Sequence, residues 1–409
     1  MSAAANFTLT KARSPLISFD EAARLIAAHA RPLGVEDLPL DQADGRVLAS
    51  PAIAGRTSPP TPVSAMDGYA VRDADIEHLP ASLKIAGKSF AGGVCHEPLQ
   101  PGTCVRIFTG ASAPEGTDRV IMQEYVHEDH GFATISEYPA GRRHMRQPGS
   151  DFAEGDVIVP AGSRLNPQHL VGIAAADIAA VKVFRRPRAV ILCCGDELTE
   201  PGQRDRPEGA IPESISFGVS ALVRRWGGEI IARRRCPDDL NLLQSMAAQA
   251  AATADIVITI GGASVGEKDL TKAAFVPLGL ELIFAKVAIK PGKPIWFGRA
   301  GRTLVVGLPG NPSSALVTAR LFLAPLLAGL SGGQSDDALD FRMMRANAAV
   351  ESCSDRDVFS RGTIKGRLAT PLSDQDSAGQ KALAAATHLI RRRPSAVPDA
   401  ETLVETLVF

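Results

Sequence analysis

A chain of 409 residues with 45% hydrophobic content is long enough for roughly two to four globular domains. A net charge of −1 and an aromatic content of 5% argue against a basic field or stacking platforms for bases, so no nucleic-acid partner is expected. The six cysteines (95, 104, 193, 194, 236 and 353) show no C-x-x-C spacing, which argues against zinc and reads as reduced core thiols. The amino terminus lacks an apolar leader segment, and no apolar run reaches roughly 18 residues. A cytoplasmic protein without membrane association is expected.

Residues 1–14 read as a loose polar tail. SFDEAARLIAAHA predicts an amphipathic helix, with Ser18 as cap and Glu21 three residues later. Residues 38–52 read as strand and turn with a possible short helix. From residue 53 to about 144, the runs SLKIAG, CVRIF, RVIMQE and FATISE alternate with turn clusters, the texture of a β-rich module. Residues 148–184 return to mixed structure, with a helix starting near Asn166. They are expected to pack with the first helix, which makes the β-rich part an insertion. Residues 186–330 alternate the apolar runs AVILCC, EIIA, DIVITI and TLVV with helix-like segments, as in a doubly wound parallel sheet. Asp238 reads as the cap of the helix that starts DDLNLL. Residues 334–409 read as a small β-barrel or sandwich.

Three turns stand out: GGASVGEKD (261–269), KPGKP (290–294) and GLPGNPSS (307–314). The first and third follow apolar strands. That is where open α/β sheets bind ligands, and where backbone N–H groups can hold an anion. No P-loop matches, because Glu-Lys stands where Lys-Ser/Thr is needed. The glycines serve either tight turns alone or an anion cradle. Three carboxylates shift the balance. Glu197 follows AVILCC, Asp238 follows the EIIA run, and Asp269 closes the loop after DIVITI. In a parallel sheet they gather at one edge, as a Mg²⁺ and phosphate site requires. Read singly, Asp238 is a helix cap and Glu197 a surface residue. If residues 285–290 form a strand, Lys286 and Lys290 share a face and suit an oxyanion; otherwise they lie on a solvated edge. Asp67 and Thr109 sit in turn-like segments. RRRC (233–236) and RRRP (391–394) read as solvated faces.

SAMDGYAV, RIFTGASAPEGTDRVIMQE, GDEL, DIVITIGGASVGEKD, KVAIKPGKP and GLPGNPSSA occur in this order from about Ser18 to about Leu330. Together they resemble the MoeA family, the molybdopterin molybdenumtransferases, which includes the gephyrin E domain. The resemblance implies a multidomain α/β and β protein. Its parts are a discontinuous α/β domain (15–52 plus 145–185), an inserted β-rich domain (53–144), a molybdopterin-binding-like doubly wound α/β domain (186–332) and a carboxyl-terminal small β-barrel (333–409). It implies insertion of molybdate into the dithiolene of adenylylated molybdopterin, with Mg²⁺-dependent release of AMP. It also implies an elongated homodimer whose cleft joins one subunit's sheet domain to the other's β-rich domain. A MogA-type adenylyltransferase and apo-molybdoenzymes are the implied partners.

By motif, Glu197, Asp238 and Asp269 are the implied acidic positions, with Glu197 and Asp269 nearest the metal. Lys286 and Lys290 are implied to hold phosphate or molybdate. Ser264 with Gly261, Gly262 and Gly266 is implied to touch pyrophosphate or pterin. Pro291 and Ser314 lie near the implied oxyanion site, Arg361 and Ser377 fall on the implied oxyanion-contacting strand and loop, and Asp67 and Thr109 are implied to reach across the dimer. Three positions depart from the family pattern: Cys194 stands where Thr precedes GDEL, Ile215 where Asn is usual, and Thr387 in an A-N-G-L-I position. The alternatives are a MogA-type adenylyltransferase, which the long flanking regions disfavour, and a non-catalytic molybdopterin carrier or scaffold.

Overall fold

The structure, a computed structural model, describes residues 16–93, 97–139, 141–203, 205–262, 270–394 and 403–409. It forms two compact units: residues 1–36, 45–49 and 183–409, and residues 37–44 and 50–182.

The first unit is built on a six-stranded sheet. Its strands are β1 (Arg188–Cys194), β2 (Glu229–Cys236), β3 (Ile256–Ile260), β4 (Leu280–Phe284), β5 (Trp296–Ala300) and β6 (Thr303–Leu308). Their order is β2-β1-β3-β6-β5-β4. The first four are parallel, and β5 runs antiparallel to both its neighbours, β6 and β4. The parallel strands read as continuous apolar runs because both faces are covered. Alternation sends Ala189, Ile191 and Cys193 into one core, and Val190, Leu192 and Cys194 into the other. The first core takes α1 (Phe19–His29), α2 (Ile215–Arg225) and a long helix at Pro312–Leu330. The second takes Leu243 and Ala247 of α3 (Leu240–Thr253).

Helix α1 begins as predicted, with the Glu21 N–H donating to Ser18 Oγ at 3.1 Å. It packs inside this unit rather than with residues 145–185, because the stripe Phe19, Ala22 and Ile26 is buried in the sheet's core. Pro312–Leu330 is long and apolar enough to cross a membrane, contrary to the expectation of no such run. It is a core helix here, with 94% of its apolar window buried inside the protein.

At the carboxyl end of the chain, the strands Arg342–Ala346, Asp357–Lys365, Leu368–Pro371, His388–Arg392 and Leu403–Val408 close into a barrel. Closure comes from Asp357–Lys365, which pairs with both Leu368–Pro371 and His388–Arg392. RRRP is not a solvated face. Arg391 and Arg392 are each 4% exposed. Arg391 Nε donates to Asp357 Oδ1 at 2.7 Å and Nη2 to Asp20 Oδ1 at 2.9 Å, and the guanidinium lies 4.5 Å from the Phe19 ring centroid. Paired charges over an aromatic face tolerate this burial.

The second unit holds a six-stranded sheet of order Arg119–Met122, Gly68–Val71, Thr103–Ile107, Ala81–Ser89, Phe132–Ile135, Val126–Asp129. The glycine of SAMDGYAV is required by packing: a Cβ on Gly68 would lie 1.9 Å from the Ile121 carbonyl oxygen. The predicted helix near Asn166 spans Pro167–Ala175, and the His169 N–H donates to Asn166 Oδ1 at 2.9 Å.

Candidate functional site

The chain passes from β1 to β2 on one side and then crosses to β3 on the other. The carboxyl ends of β1 and β3 therefore flank the sheet's topological switch point, where ligands of open α/β sheets bind. A cavity of about 550 Å³ opens there. It is lined by Gly195 and Glu197 after β1, Asp238 after β2, Gly261 and Gly262 after β3, and Asn311 beyond β6. The GDEL and PDD segments, the glycine pair 261–262 and GLPGNP meet at one place because parallel strands deliver their following loops to one edge.

Backbone conformation fixes the loop after β3. Gly261 has φ +85°, and a Cβ there would lie 2.5 Å from the Cys194 carbonyl oxygen. The backbone thus approaches the end of β1 more closely than any other residue would allow. Ser264, Gly266 and Asp269 lie outside the described residues.

Asp238 is not the helix cap. Asp239 is, with its Oδ1 accepting the Leu242 N–H at 2.8 Å. Asp238 instead lines the cavity, and its N–H donates to Asp196 Oδ1 at 3.1 Å. Glu197 is exposed on the same cavity, and its carbonyl accepts the Ile211 N–H at 2.8 Å. Glu213 also lines it but is only 3% exposed and already engaged: Oε1 accepts the Ser216 N–H at 2.8 Å, and Oε2 accepts the Ser216 hydroxyl. It anchors the start of α2. Ile215, where the family pattern has Asn, is 8% exposed and joins the core while bordering the cavity. RRRC is likewise not merely solvated. Arg233 bonds Ser216 Oγ at 3.0 Å, and Arg235 Nη1 donates to the Leu198 carbonyl at 2.6 Å, steadying the GDEL loop.

No group of three or more His, Cys, Asp or Glu suited to a metal gathers among the described residues. Glu197 and Asp238 on one cavity nevertheless fit Mg²⁺, which is commonly held by one or two carboxylates together with substrate phosphates.

A second cavity, about 490 Å³, lies beside the KPGKP turn. It gathers the predicted Lys290, Pro291, Ser314 and Ser377, and adds Arg356 and Ser360. Ser360 is 2% exposed, and its hydroxyl has no hydrogen-bond partner among the described residues. Lys290 is exposed and pairs with Glu351. Arg356 donates to Asp355 from Nε at 2.8 Å and Nη2 at 2.6 Å. The GLPGNPSS turn and the loop at 376–380 wall both cavities. Asn311 and Ala378 border the first, Ser314 and Ser377 the second. Asn311 Nδ2 donates to Ser377 Oγ at 3.0 Å and the Ser313 N–H to the Ser377 carbonyl at 2.9 Å, locking the two walls together.

Two predicted residues are placed differently. Residues 285–290 are not one strand: the Lys286 carbonyl accepts the Ile17 N–H and the Ala288 N–H donates to the Ile17 carbonyl at 2.7 Å, an isolated parallel bridge at Val287, while Ile289–Lys290 pairs with residues 357–358. Lys286 is half-buried and lines neither cavity. Arg361 is 1% exposed and holds protein rather than an open anion site. Its guanidinium donates to the Ser313 hydroxyl and to the carbonyls of Gly379 at 3.2 Å and Asp374 at 3.1 Å. It is a strut for the shared wall. Sequence reasoning missed Arg356 and Ser360; their one signal is that they adjoin Arg361 on the implied oxyanion-contacting strand, and their placement depends on barrel closure.

In the second unit, Asp67 and Thr109 do meet. The Thr109 N–H and hydroxyl both donate to Asp67 Oδ1, at 2.7 and 2.8 Å. Those bonds, the backbone one foremost, hold the Asp67 carboxyl below its usual range. At the end of β1, the neighbouring Cys236 thiol, with burial, pushes the Cys194 thiol well up. The Cys194 thiol, helped by Arg234 and opposed by burial, holds Cys236 low.

The fold and site define a multidomain α/β and β protein, with a ligand cavity at the switch point of a molybdopterin-binding-type sheet. Residues 17–176 match the MoeA N-terminal region (domains I and II), and residues 190–329 match a probable molybdopterin binding domain. The molybdopterin molybdenumtransferase of Haemophilus influenzae is 42% identical over 303 residues, 74% of each chain. The molybdopterin molybdenumtransferase 2 of Mycobacterium tuberculosis is 33% identical over 367 residues, 87% of this chain and 90% of that one. The solved structure of a molybdopterin biosynthesis MoeA protein from Pyrococcus horikosii superposes with a TM-score of 0.82 at 27% identity, covering 96% of this chain and 99% of that one. The chain belongs to the MoeA family of molybdopterin molybdenumtransferases, which places it in molybdenum cofactor biosynthesis.

Proposed function

We propose that this protein is a molybdopterin molybdotransferase that inserts molybdate into the dithiolene of adenylylated molybdopterin and releases AMP. One observation carries the reading: an acidic cavity at the switch point and a cavity rich in hydroxyls and cations share one wall. The substrate needs both chemistries, because a phosphoanhydride must be cleaved and a tetrahedral dianion delivered nearby.

In this reading, Glu197 and Asp238 hold Mg²⁺ in the first cavity, with Asp269 as a further acidic group. Bound there, the ion supplies charge neutralisation on the phosphoanhydride oxygens. Gly261 and Gly262, with Ser264 and Gly266, present backbone and hydroxyl donors to the pyrophosphate. Lys290, Ser314, Ser360 and Ser377 orient molybdate as point charge and hydroxyl donors. Lys290 exchanges its Glu351 partner for the incoming anion. The rigid wall of Arg361, Asn311 and Ser377 keeps the two substrates in fixed relation, which lowers the entropic part of the barrier. A homodimer to which Asp67 and Thr109 contribute, a cytoplasmic setting, a MogA-type supplier and apo-molybdoenzyme recipients belong to the same proposal.

The test is to mix purified protein with adenylylated molybdopterin, Mg²⁺ and molybdate, and to follow AMP release and activation of an apo-molybdoenzyme. Both are expected. Tight pterin binding without AMP release would refute the transferase and leave a carrier.

A further inference from the structure

Cys194 and Cys236 end the neighbouring parallel strands β1 and β2 and are direct register partners. Paired residues in a parallel sheet point to the same face, and both side chains lie in the same core cluster, 7% and 1% exposed. Adjacent strands lie about 4.8 Å apart, inside the roughly 4.4–6.8 Å Cα separation that a disulfide spans. Cys193 points into the opposite core, so it does not compete. Cys194 also borders the switch-point cavity, which gives a small oxidant a route to the pair.

We propose that Cys194 and Cys236 form a redox-modification site, a dithiol that peroxide converts to a reversible disulfide joining the ends of β1 and β2. Cys236 sulfur, the thiol held lower, attacks a peroxide oxygen, the O–O bond breaks, and a sulfenic acid and one water result. Cys194 sulfur then displaces the sulfenic hydroxyl. The S–S bond forms and a second water leaves, carrying the remaining thiol proton. Two thiols are oxidised by two electrons and one peroxide is reduced. The bond ties together the segments that carry Glu197 and Asp238, which beyond the strands are joined by the Gly195 N–H to the Cys236 carbonyl and the Asp238 N–H to Asp196 Oδ1, each at 3.1 Å. A cross-link between adjacent strands is a strained, readily reduced kind, which suits a reversible device. The inference rests on strand register and does not depend on which ligand the cavity takes.

The full-length protein is treated with equimolar hydrogen peroxide, digested without reduction, and mapped by mass spectrometry. Hydrogen exchange is followed at residues 195–200 and 237–240. A single Cys194–Cys236 cross-link is expected, reversed by dithiothreitol. Exchange at both segments should slow several-fold on oxidation, and Cys194→Thr and Cys236→Ser should lose the cross-link and the slowing. Two variants guard against misfolding of either, each checked by circular dichroism. Sulfinic acid without a cross-link, a cross-link elsewhere, or unchanged exchange after cross-linking would each overturn the proposal.

Discussion

The two cavities of the sheet unit differ in charge although they share a wall. The one at the switch point carries Glu197, Asp238 and the engaged Glu213. The one beside the KPGKP turn carries Lys290, Lys293, Arg356 and several serines, against Glu351 and Asp376. Acid gathers where parallel strands end, because each strand delivers one loop residue to a common edge. Cations and hydroxyls gather where the barrel meets the KPGKP turn, because residues 289–290 pair with 357–358. The difference suggests two ligand chemistries held side by side: metal with phosphate in one, a bare oxyanion in the other.

The largest expected effect falls on the acidic side. Asp238→Asn or Glu197→Gln should lower turnover on the order of 10²–10³-fold, as for removal of one preorganised electrostatic group. Circular dichroism should be unchanged, and AMP release is the measurement. Turnover like wild type in both variants would erase the distinction between the cavities.

On the cationic side, Lys290→Ala should raise the molybdate concentration needed for half-maximal rate about 10–100-fold, the equivalent of one charge-assisted hydrogen bond. Maximal rate should change less. Steady-state kinetics with molybdate varied will show which parameter moves.

A smaller effect sharpens the comparison from the far end of the sheet. Asp255, just before β3, is pushed up by burial but held lower overall by Arg185, whose Nη1 and Nη2 donate at 2.8 Å each, and by the Arg188 N–H at 2.8 Å. Its folded pKa is therefore below the ordinary value. The stabilisation is fully present above the unfolded pKa of about 3.9 and is lost as pH falls through the folded one. Asp255→Asn should cost about 1–3 kcal/mol in urea unfolding at pH 7, and its deficit should shrink as the pH drops below about 4. A deficit independent of pH would show that packing, not charge, holds this corner.

Much of this was legible in the chain. AVILCC, DIVITI and TLVV have the length and apolarity of buried strands, so their following loops could be placed at one edge. The rest needed three dimensions. Asp238 and Asp239 are both plausible caps, and only the Leu242 N–H decides between them. The Lys286–Lys290 run reads as one strand, but it takes two different partners, Ile17 at Val287 and the barrel strand at residues 289–290. Arg391 reads as solvated and Arg361 as an oxyanion contact because sequence does not show the carbonyls, carboxylates and rings that barrel closure brings to them. Ser360 was invisible for the same reason. The family resemblance supplied the ligand chemistry that composition and spacing left open.

The most direct measurement is equilibrium binding of molybdate, by isothermal titration calorimetry, to the wild type, Asp238→Asn and Ser360→Ala in the absence of Mg²⁺. The expected result is weakened binding in Ser360→Ala and wild-type affinity in Asp238→Asn. Weakened binding in Asp238→Asn with wild-type affinity in Ser360→Ala would contradict the division between the two cavities.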